Sequence, residues 1–251
     1  MYSQGHERPE FDFCPLCLLA IPFPSQQHSY FNPCCMKLVC NGCRLAAKKQ
    51  GSFDACPFCR TTTPSTNEEI ITLIQRRVAA RDPEAIRQLG DLYFKGVIGL
   101  DKDMSRGIEL WSEAAELGSN NALFNLGDVY NHGESAGVAL DKTKGIRYWE
   151  KAAMQGHVNS RHNLGKVELI AGNFDRAVRH FLISAKMGFK QSLDGIRMMV
   201  AEGYARKAQY AEALAGYQDA EEGMKSPQRD EAVRLGLTGR VHTERMFKNL
   251  D

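Results

Sequence analysis

Eight cysteines, Cys14, Cys17, Cys34, Cys35, Cys40, Cys43, Cys56 and Cys59, all lie in the first 59 of 251 residues, and none follows. Three pairs, Cys14/Cys17, Cys40/Cys43 and Cys56/Cys59, share the spacing Cys-x-x-Cys, which brings two thiolates onto one tetrahedral ion. The adjacent Cys34 and Cys35 complete the count. Eight sulfurs make two closed four-ligand sites, and an ion with every position filled by protein has no opening for substrate. The chemistry expected is therefore structural zinc, two ions, with no catalytic residue. A disulfide framework is the other use of eight cysteines. It calls for a secreted context, and the opening Met1-Tyr-Ser-Gln-Gly-His-Glu-Arg-Pro9 lacks the apolar stretch of a signal peptide. A reducing, intracellular location, cytoplasmic or nuclear, is expected.

These ligands need elements to position them. A head of about 50 residues buries too little apolar surface to be stable alone, whereas a structural zinc contributes an apparent ~10–16 kcal/mol to folding. The polar stretch Thr61-Thr-Thr-Pro-Ser-Thr-Asn67 reads as a short exposed connection. Asn67 is the expected N-cap of a leading helix with Glu68 and Glu69 in its first turn and Ile70, Ile74 and Val78 at helical spacing.

From Asp82 the chain repeats itself. Leu89-Gly90, Leu126-Gly127 and Leu164-Gly165 return after 37 and 38 residues, and the run Ile108 to Gly118 is matched by Ile146 to Gly156. A third copy passes through Phe181 and Gly188, and a degenerate fourth is expected over 192–224. Small alanines permit close helix pairs, and glycine accepts the left-handed conformation at a helix end, so each unit reads as a helical hairpin. Trp111, Trp149, Tyr93 and Tyr130 occupy equivalent repeat positions, which assigns them to packing and not to ligand stacking. His132, His157, His162 and His180 show no metal-type spacing. Asp82-Pro83 starts the first hairpin, and Ser226-Pro227 restarts a last helix expected to cap the far end before a frayed final dozen residues.

The order of cysteine pairs over 13–61 resembles the RING finger, a small two-zinc cross-brace. The resemblance implies that the first and third pairs share one ion and the second and fourth the other: Cys14, Cys17, Cys40 and Cys43, then Cys34, Cys35, Cys56 and Cys59. The usual histidine ligand is replaced by Lys37, so Cys35 is the implied fourth ligand and adjacent ligands are a departure. His28 is the alternative donor to the vicinal pair. The family recruits a ubiquitin-conjugating enzyme charged with ubiquitin, forms no covalent intermediate, and docks it on an apolar patch matched here by Leu16 and Pro57. Arg60, directly after the last ligand, matches a basic residue that bridges ubiquitin and its carrier. Leu18 and Phe58 flank the same loops. The aromatic residue common in the helix after the sixth ligand is absent, since Leu45, Ala46 and Ala47 stand there.

The repeats over 82–224 resemble Sel-1-like repeats, relatives of the tetratricopeptide repeat. This implies an α-solenoid that binds a protein partner or substrate. The expected organisation is mainly α: a tail over 1–12, a RING-type zinc finger over 13–61, a linker and leading helix over 62–81, a solenoid over 82–224 and a capping helix or tail over 225–251. The function implied is a RING-type ubiquitin-protein ligase, with a non-catalytic zinc-binding scaffold as the alternative. Before Thr63 stand 6 basic and 4 acidic residues, and after it 26 of each, so no electrostatic footprint for nucleic acid is expected. The longest apolar stretch, around Leu16 to Ile21, is far below the ~20 residues that span a bilayer, so no membrane partner is expected.

Overall fold

The computed structural model describes residues 2, 5–51, 54–133 and 138–237, which fold into two compact units. One comprises the described residues of Glu10–Ala122 with Met224–Asp251, the other those of Met1–Pro9 with Leu123–Gly223.

The first unit opens with a 3-10 turn, Glu10–Asp12, and a one-turn helix α1, Ser25–His28. The strands β1 (Ser29–Asn32) and β2 (Lys37–Cys40) pair antiparallel with Ser29 opposite Cys40 and Asn32 opposite Lys37, so residues 33–36 form the connecting turn. Helix α2 (Asn41–Lys49) follows at once, capped by Cys40, whose sulfur accepts from the Cys43 amide at 3.4 Å. The buried core beside these elements is Cys14, Ile21, Val39 and Cys40, with Leu38, Cys17 and Cys43 against it. Half of that core is sulfur, which is why apolar burial alone cannot hold it.

The leading helix α3 runs over Asn67–Ala79 and buries Ile70 and Ile74. Its cap is Thr66 and not Asn67: the Thr66 hydroxyl accepts from the Glu69 amide at 3.2 Å, and the Glu69 carboxylate reaches back to the Ser65 amide at 2.6 Å. A hydroxyl three residues before a glutamate makes this reciprocal cap, which shifts the helix start by one residue. Helices α4 (Pro83–Lys95) and α5 (Met104–Glu116) form the first hairpin. Asp82 caps α4 through the Glu84 and Ala85 amides, and Gly96 ends it at φ 67°, a conformation glycine adopts without strain. Along α4 Arg87 is ion-paired to Glu84 at 2.8 Å and Asp91 at 2.5 Å, and Ser119, after α5, donates to the other oxygen of Glu84. Helix α6 (Asn120–His132) begins in this unit and continues into the other.

The second unit holds most of α6, then α7 (Lys142–Met154), α8 (Val158–Ile170), α9 (Phe174–Lys186), α10 (Lys190–Ala201) and α11 (Lys207–Gly223). Each of α4 to α9 is 13 residues long, about 20 Å, so the arms of these three hairpins match. Trp149, Ala153 and Leu164 form one buried cluster, and a larger one joins Val178, Phe181, Leu193, Ile196, Met199 and Ala213 of α9 to α11. The residues read as a tail join this unit: Tyr2 packs its ring on His180 with centroids 5.0 Å apart, and buried Arg161 donates to Ala153 O at 2.9 Å and to Gly5 O at 3.5 Å.

Trp111 and Trp149 are buried, and each indole N–H finds the acid that directly follows the repeated glycine: Trp111 donates to Asp91 at 2.9 Å, Trp149 to Asp128 at 3.1 Å. The glycines serve close approach as well as helix ends. A methyl on Gly90 would sit 2.7 Å from the Trp111 ring, Gly127 lies against Trp149, and a methyl on Gly165 would sit 2.6 Å from Phe181. Tyr130 is half-buried and stacks on Tyr148 with centroids 5.8 Å apart.

The last helix α12 (Pro227–Arg234) is capped by Ser226 as its Ser-Pro start implies. It packs against α2 in the first unit, where the sequence placed it at the far end of the array. The expected fraying of the final dozen residues falls outside the described residues. No helix among the described residues is long and apolar enough to cross a membrane.

Candidate metal centre

Two loops of the first unit are built alike. In Cys14-Pro-Leu-Cys17-Leu18 the Leu18 amide donates to Cys14 O at 2.9 Å and the Cys14 amide to Leu19 O at 3.0 Å. In Cys56-Pro-Phe-Cys59-Arg60 the Arg60 amide donates to Cys56 O at 2.8 Å and the Cys56 amide to Thr61 O at 2.7 Å. Phe13 bridges Ala20, and Ala55 bridges Thr62, so a single antiparallel bridge closes each loop. The turn at Cys34-Cys35-Met36 is a third variation, with the Met36 amide donating to Asn32 O at 2.9 Å.

Leu18, Met36 and Arg60 have φ of 59°, 57° and 63°. Each directly follows a cysteine pair, and each is a side-chain-bearing residue in the left-handed region, a local cost of order 1 kcal/mol that persists only where the surroundings over-determine it. Those turns aim both sulfurs of a pair the same way. The remaining pair, Cys40 and Cys43, is oriented by the first turn of α2.

The result is two groups of four sulfurs, Cys14, Cys17, Cys40 and Cys43 in one, Cys34, Cys35, Cys56 and Cys59 in the other, with all ligand atoms of a group within 4.8 Å of one another. The chain interleaves: the outer pairs of one group enclose the vicinal pair of the other. Cys17 Sγ lies 3.9 Å from Cys40 Sγ, Cys35 Sγ 3.9 Å from Cys56 Sγ, and Cys34 Sγ 3.2 Å from Cys59 Sγ. A tetrahedral ion with ~2.3 Å bonds to sulfur has edges of about 3.8 Å, so either group could hold a metal ion. All eight are free thiols. His28 belongs to neither group. It ends α1, half-buried, and burial together with the Arg229 charge lowers its pKa.

Crowding splits the thiols of each group. Hydrogen bonds from Cys40 and Cys43 pull Cys14 far down, and those from Cys34 and Cys35 do the same to Cys56. Cys43 and Cys34 are driven up, first by the hydrogen bonds they make to the neighbouring sulfurs, then by burial, and last by repulsion from a thiolate beside them. A divalent cation inverts that repulsion by making all four anions favourable at once.

The expected docking residues sit on the loops just described. Leu16 is 41% exposed, Phe58 42% and Leu18 74%, so all three side chains face outward from the sulfur clusters. Pro57 is half-buried in a cleft of about 130 Å³ that Arg44, Ala47 and Lys48 of α2 also line. Arg60 is exposed, its backbone closing the loop while its side chain is free to leave it.

Sequence reasoning missed Arg229. Its guanidinium, in a residue only 8% exposed, donates to Cys17 Sγ at 3.4 Å, Leu19 O at 3.0 Å, Ala20 O at 2.6 Å and Met224 O at 2.8 Å. No local pattern marks it: α12 is a short polar helix in which one arginine looks like any other.

Comparison with known proteins bears on the hairpins. A family model, Sel1 repeat, matches residues 83–119, 120–157 and 162–189. Each match covers one helix pair: α4 with α5, α6 with α7, and α8 with α9. A search of curated proteins finds no match. Among crystal structures, the chain is similar to a Sel1 repeat protein from Oxalobacter formigenes, with a TM-score of 0.55 at 22% identity over 72% of this chain and 71% of that one. It is also similar to c5321, a protective antigen of uropathogenic Escherichia coli strains with an SLR fold, with a TM-score of 0.54 at 20% identity over 78% of this chain and 41% of that one. At such identities the likeness concerns the fold alone. Residues 83–119, 120–157 and 162–189 thus match the Sel1 repeat, and the chain is mainly α-helical, with its helices paired as hairpins.

Proposed function

We propose that residues 13–61 form a RING-type finger holding two structural zinc ions, and that the protein is a ubiquitin ligase whose repeats hold a protein partner or substrate. The observation that carries this reading is the interleaved pair of four-sulfur groups with Leu16, Leu18 and Phe58 turned outward from the loops that close them. Thiolate-only, closed coordination favours zinc as a folding element.

The chemistry such a head supplies is proximity. It docks a conjugating enzyme and holds the ubiquitin thioester in a reactive pose, a gain in effective concentration and orientation that requires no nucleophile on the ligase. All eight cysteines are gathered in the two groups, so none stands apart to accept ubiquitin as a thioester. Leu16 and Pro57 contact the conjugating enzyme, and the five-donor guanidinium of Arg60 bridges it to ubiquitin. The Sel1 repeats present a bound protein's lysines to that thioester.

Purified protein mixed with ubiquitin, activating enzyme and a panel of conjugating enzymes is expected to build ubiquitin chains with at least one of them. Leu16→Ala and Arg60→Ala should each lower the rate about tenfold, the effect of losing one well-placed contact of ~1.4 kcal/mol. Failure with every conjugating enzyme supports the second reading, a zinc-bound binding scaffold. That reading is favoured by Leu45, Ala46 and Ala47, which leave α2 without an aromatic side chain on its docking turns.

A further inference from the structure

The two sulfur groups differ in what surrounds them. The second is bonded among its own members and to Thr61, whose hydroxyl lies 3.2 Å from Cys59 Sγ. Among the described residues only the first receives a hydrogen bond from a charged side chain, and that side chain comes from 212 positions further along the chain.

We propose that Arg229 is the outer anchor of the first metal site, so that the C-terminal helix α12 governs how firmly Cys14, Cys17, Cys40 and Cys43 retain their ion. This rests on the metal reading given above. Four thiolates around a divalent cation leave a net charge of −2, and a buried guanidinium beside them offsets part of that excess where water cannot. The same group ties the loop down through Leu19 O and Ala20 O, the carbonyls that follow the Cys14–Cys17 pair, so one residue fixes both the charge and the direction of two ligands. Arg229 is itself held in place by the segment that leads into its helix, through Met224 O.

The placement of α12 is specific. A methyl on Gly42, between Cys40 and Cys43, would lie 2.7 Å from the Arg229 amide nitrogen, so only glycine lets the two helices meet there. Lys49 at the end of α2 pairs with Glu231 at 2.7 Å, and the Asn41 amide donates to Leu237 O at 2.8 Å. These contacts register α12 and the residues just after it along the helix that begins with two of the four ligands. Arginine suits the task because one planar fork serves a sulfur and three carbonyls at once, which a lysine ammonium reaches only in part.

The test uses the full chain, zinc-loaded, challenged with a chelator while N-ethylmaleimide traps released thiols for mass spectrometry residue by residue. In Arg229→Met, Cys14, Cys17, Cys40 and Cys43 should become reactive about 10 to 100 times sooner than in the wild type, the usual consequence of removing an outer hydrogen-bond partner. Cys34, Cys35, Cys56 and Cys59 should keep the wild-type half-time. Arg229→Lys should fall between, which separates lost charge from lost packing, and it stands as the informative variant should Arg229→Met fail to fold. Arg106→Ala, which removes only an exposed pair with Glu109 on α5, should leave both groups unchanged. Equal protection of all eight cysteines in the Arg229 variants overturns this inference alone, as does uniform acceleration of all eight. A wild-type chain that carries fewer than two zinc ions overturns the metal reading itself.

Discussion

His157 caps α8, where its Nδ1 accepts from the Ser160 amide at 3.1 Å and its ring stacks on Phe124 with centroids 4.6 Å apart. Burial drives its pKa down to about 3, and burial does the same to His162 and His180, each to about 4. The sign follows from proton counts. In the unfolded chain these rings protonate below about pH 6.5, whereas in the folded protein they stay neutral until pH 4 or lower. Their contribution is therefore fully present above pH 6.5 and lost progressively as pH falls through that window. The melting temperature of the wild type should drop between pH 7 and pH 5. His157→Asn keeps a good N-cap and removes one titrating group, so thermal circular dichroism should show a shallower decline than the wild type's. An identical slope in the two proteins would assign the acid sensitivity elsewhere.

At the scale of elements, the repeats carry their own internal experiment. Two copies pair a tryptophan with an aspartate, Trp111 with Asp91 and Trp149 with Asp128. In the third copy both are exchanged: Phe181 stands where the tryptophan would, and Lys166 where the acid would. A buried acceptor without its donor is costly, so the pair is kept or dropped as a whole. The first pair is reinforced by Arg87. The equivalent position in the second copy is Phe124, and there burial pushes Asp128 up to about 6, with the Trp149 hydrogen bond opposing the rise. Trp149→Phe should destabilise by roughly 1–3 kcal/mol in urea unfolding. The loss should be larger at pH 7.5 than at pH 5, because Asp128 is ionised above its raised pKa and then most needs the donor. Adding Asp128→Lys, which recreates the third copy's combination, should recover part of it. A double variant weaker than the sum of the two singles would show that the exchange has another cause.

At the scale of the whole molecule, the metal reading predicts an uneven response to chelation. The small core of the head is half sulfur, whereas Trp149, Phe181, Ile196 and their neighbours bury apolar surface without any cysteine. Removing the ions should leave most of the helical circular dichroism signal intact. Hydrogen exchange should rise in α2 and, with it, in α12, since α12 packs on α2. Collapse of all helicity would refute the division of labour between head and repeats. Fast exchange in α2 with α12 still protected would refute the contact between them.

Much of this organisation was legible from local spacing. Cys-x-x-Cys sets the distance between two sulfurs whatever lies beyond it, and a 37- or 38-residue return of Leu-Gly, tryptophan and double alanine sets the length and phase of a hairpin, because both are consequences of backbone geometry over a few turns. The leading helix was legible too, to within the one residue by which Thr66 displaces Asn67 as its cap. What only the tertiary structure decided are the encounters between distant segments. The gathering of the sulfurs into two groups depends on how the strands and loops cross. Tyr2 and Gly5 of the expected tail meet His180 and Arg161 within the second unit. Arg229 reaches Cys17 only because α12 returns to α2. A guanidinium carries no mark of its partner, since its charge and donors suit any carboxylate, carbonyl or thiolate; which of them it meets is fixed by the path of the chain and not by the residues on either side of it.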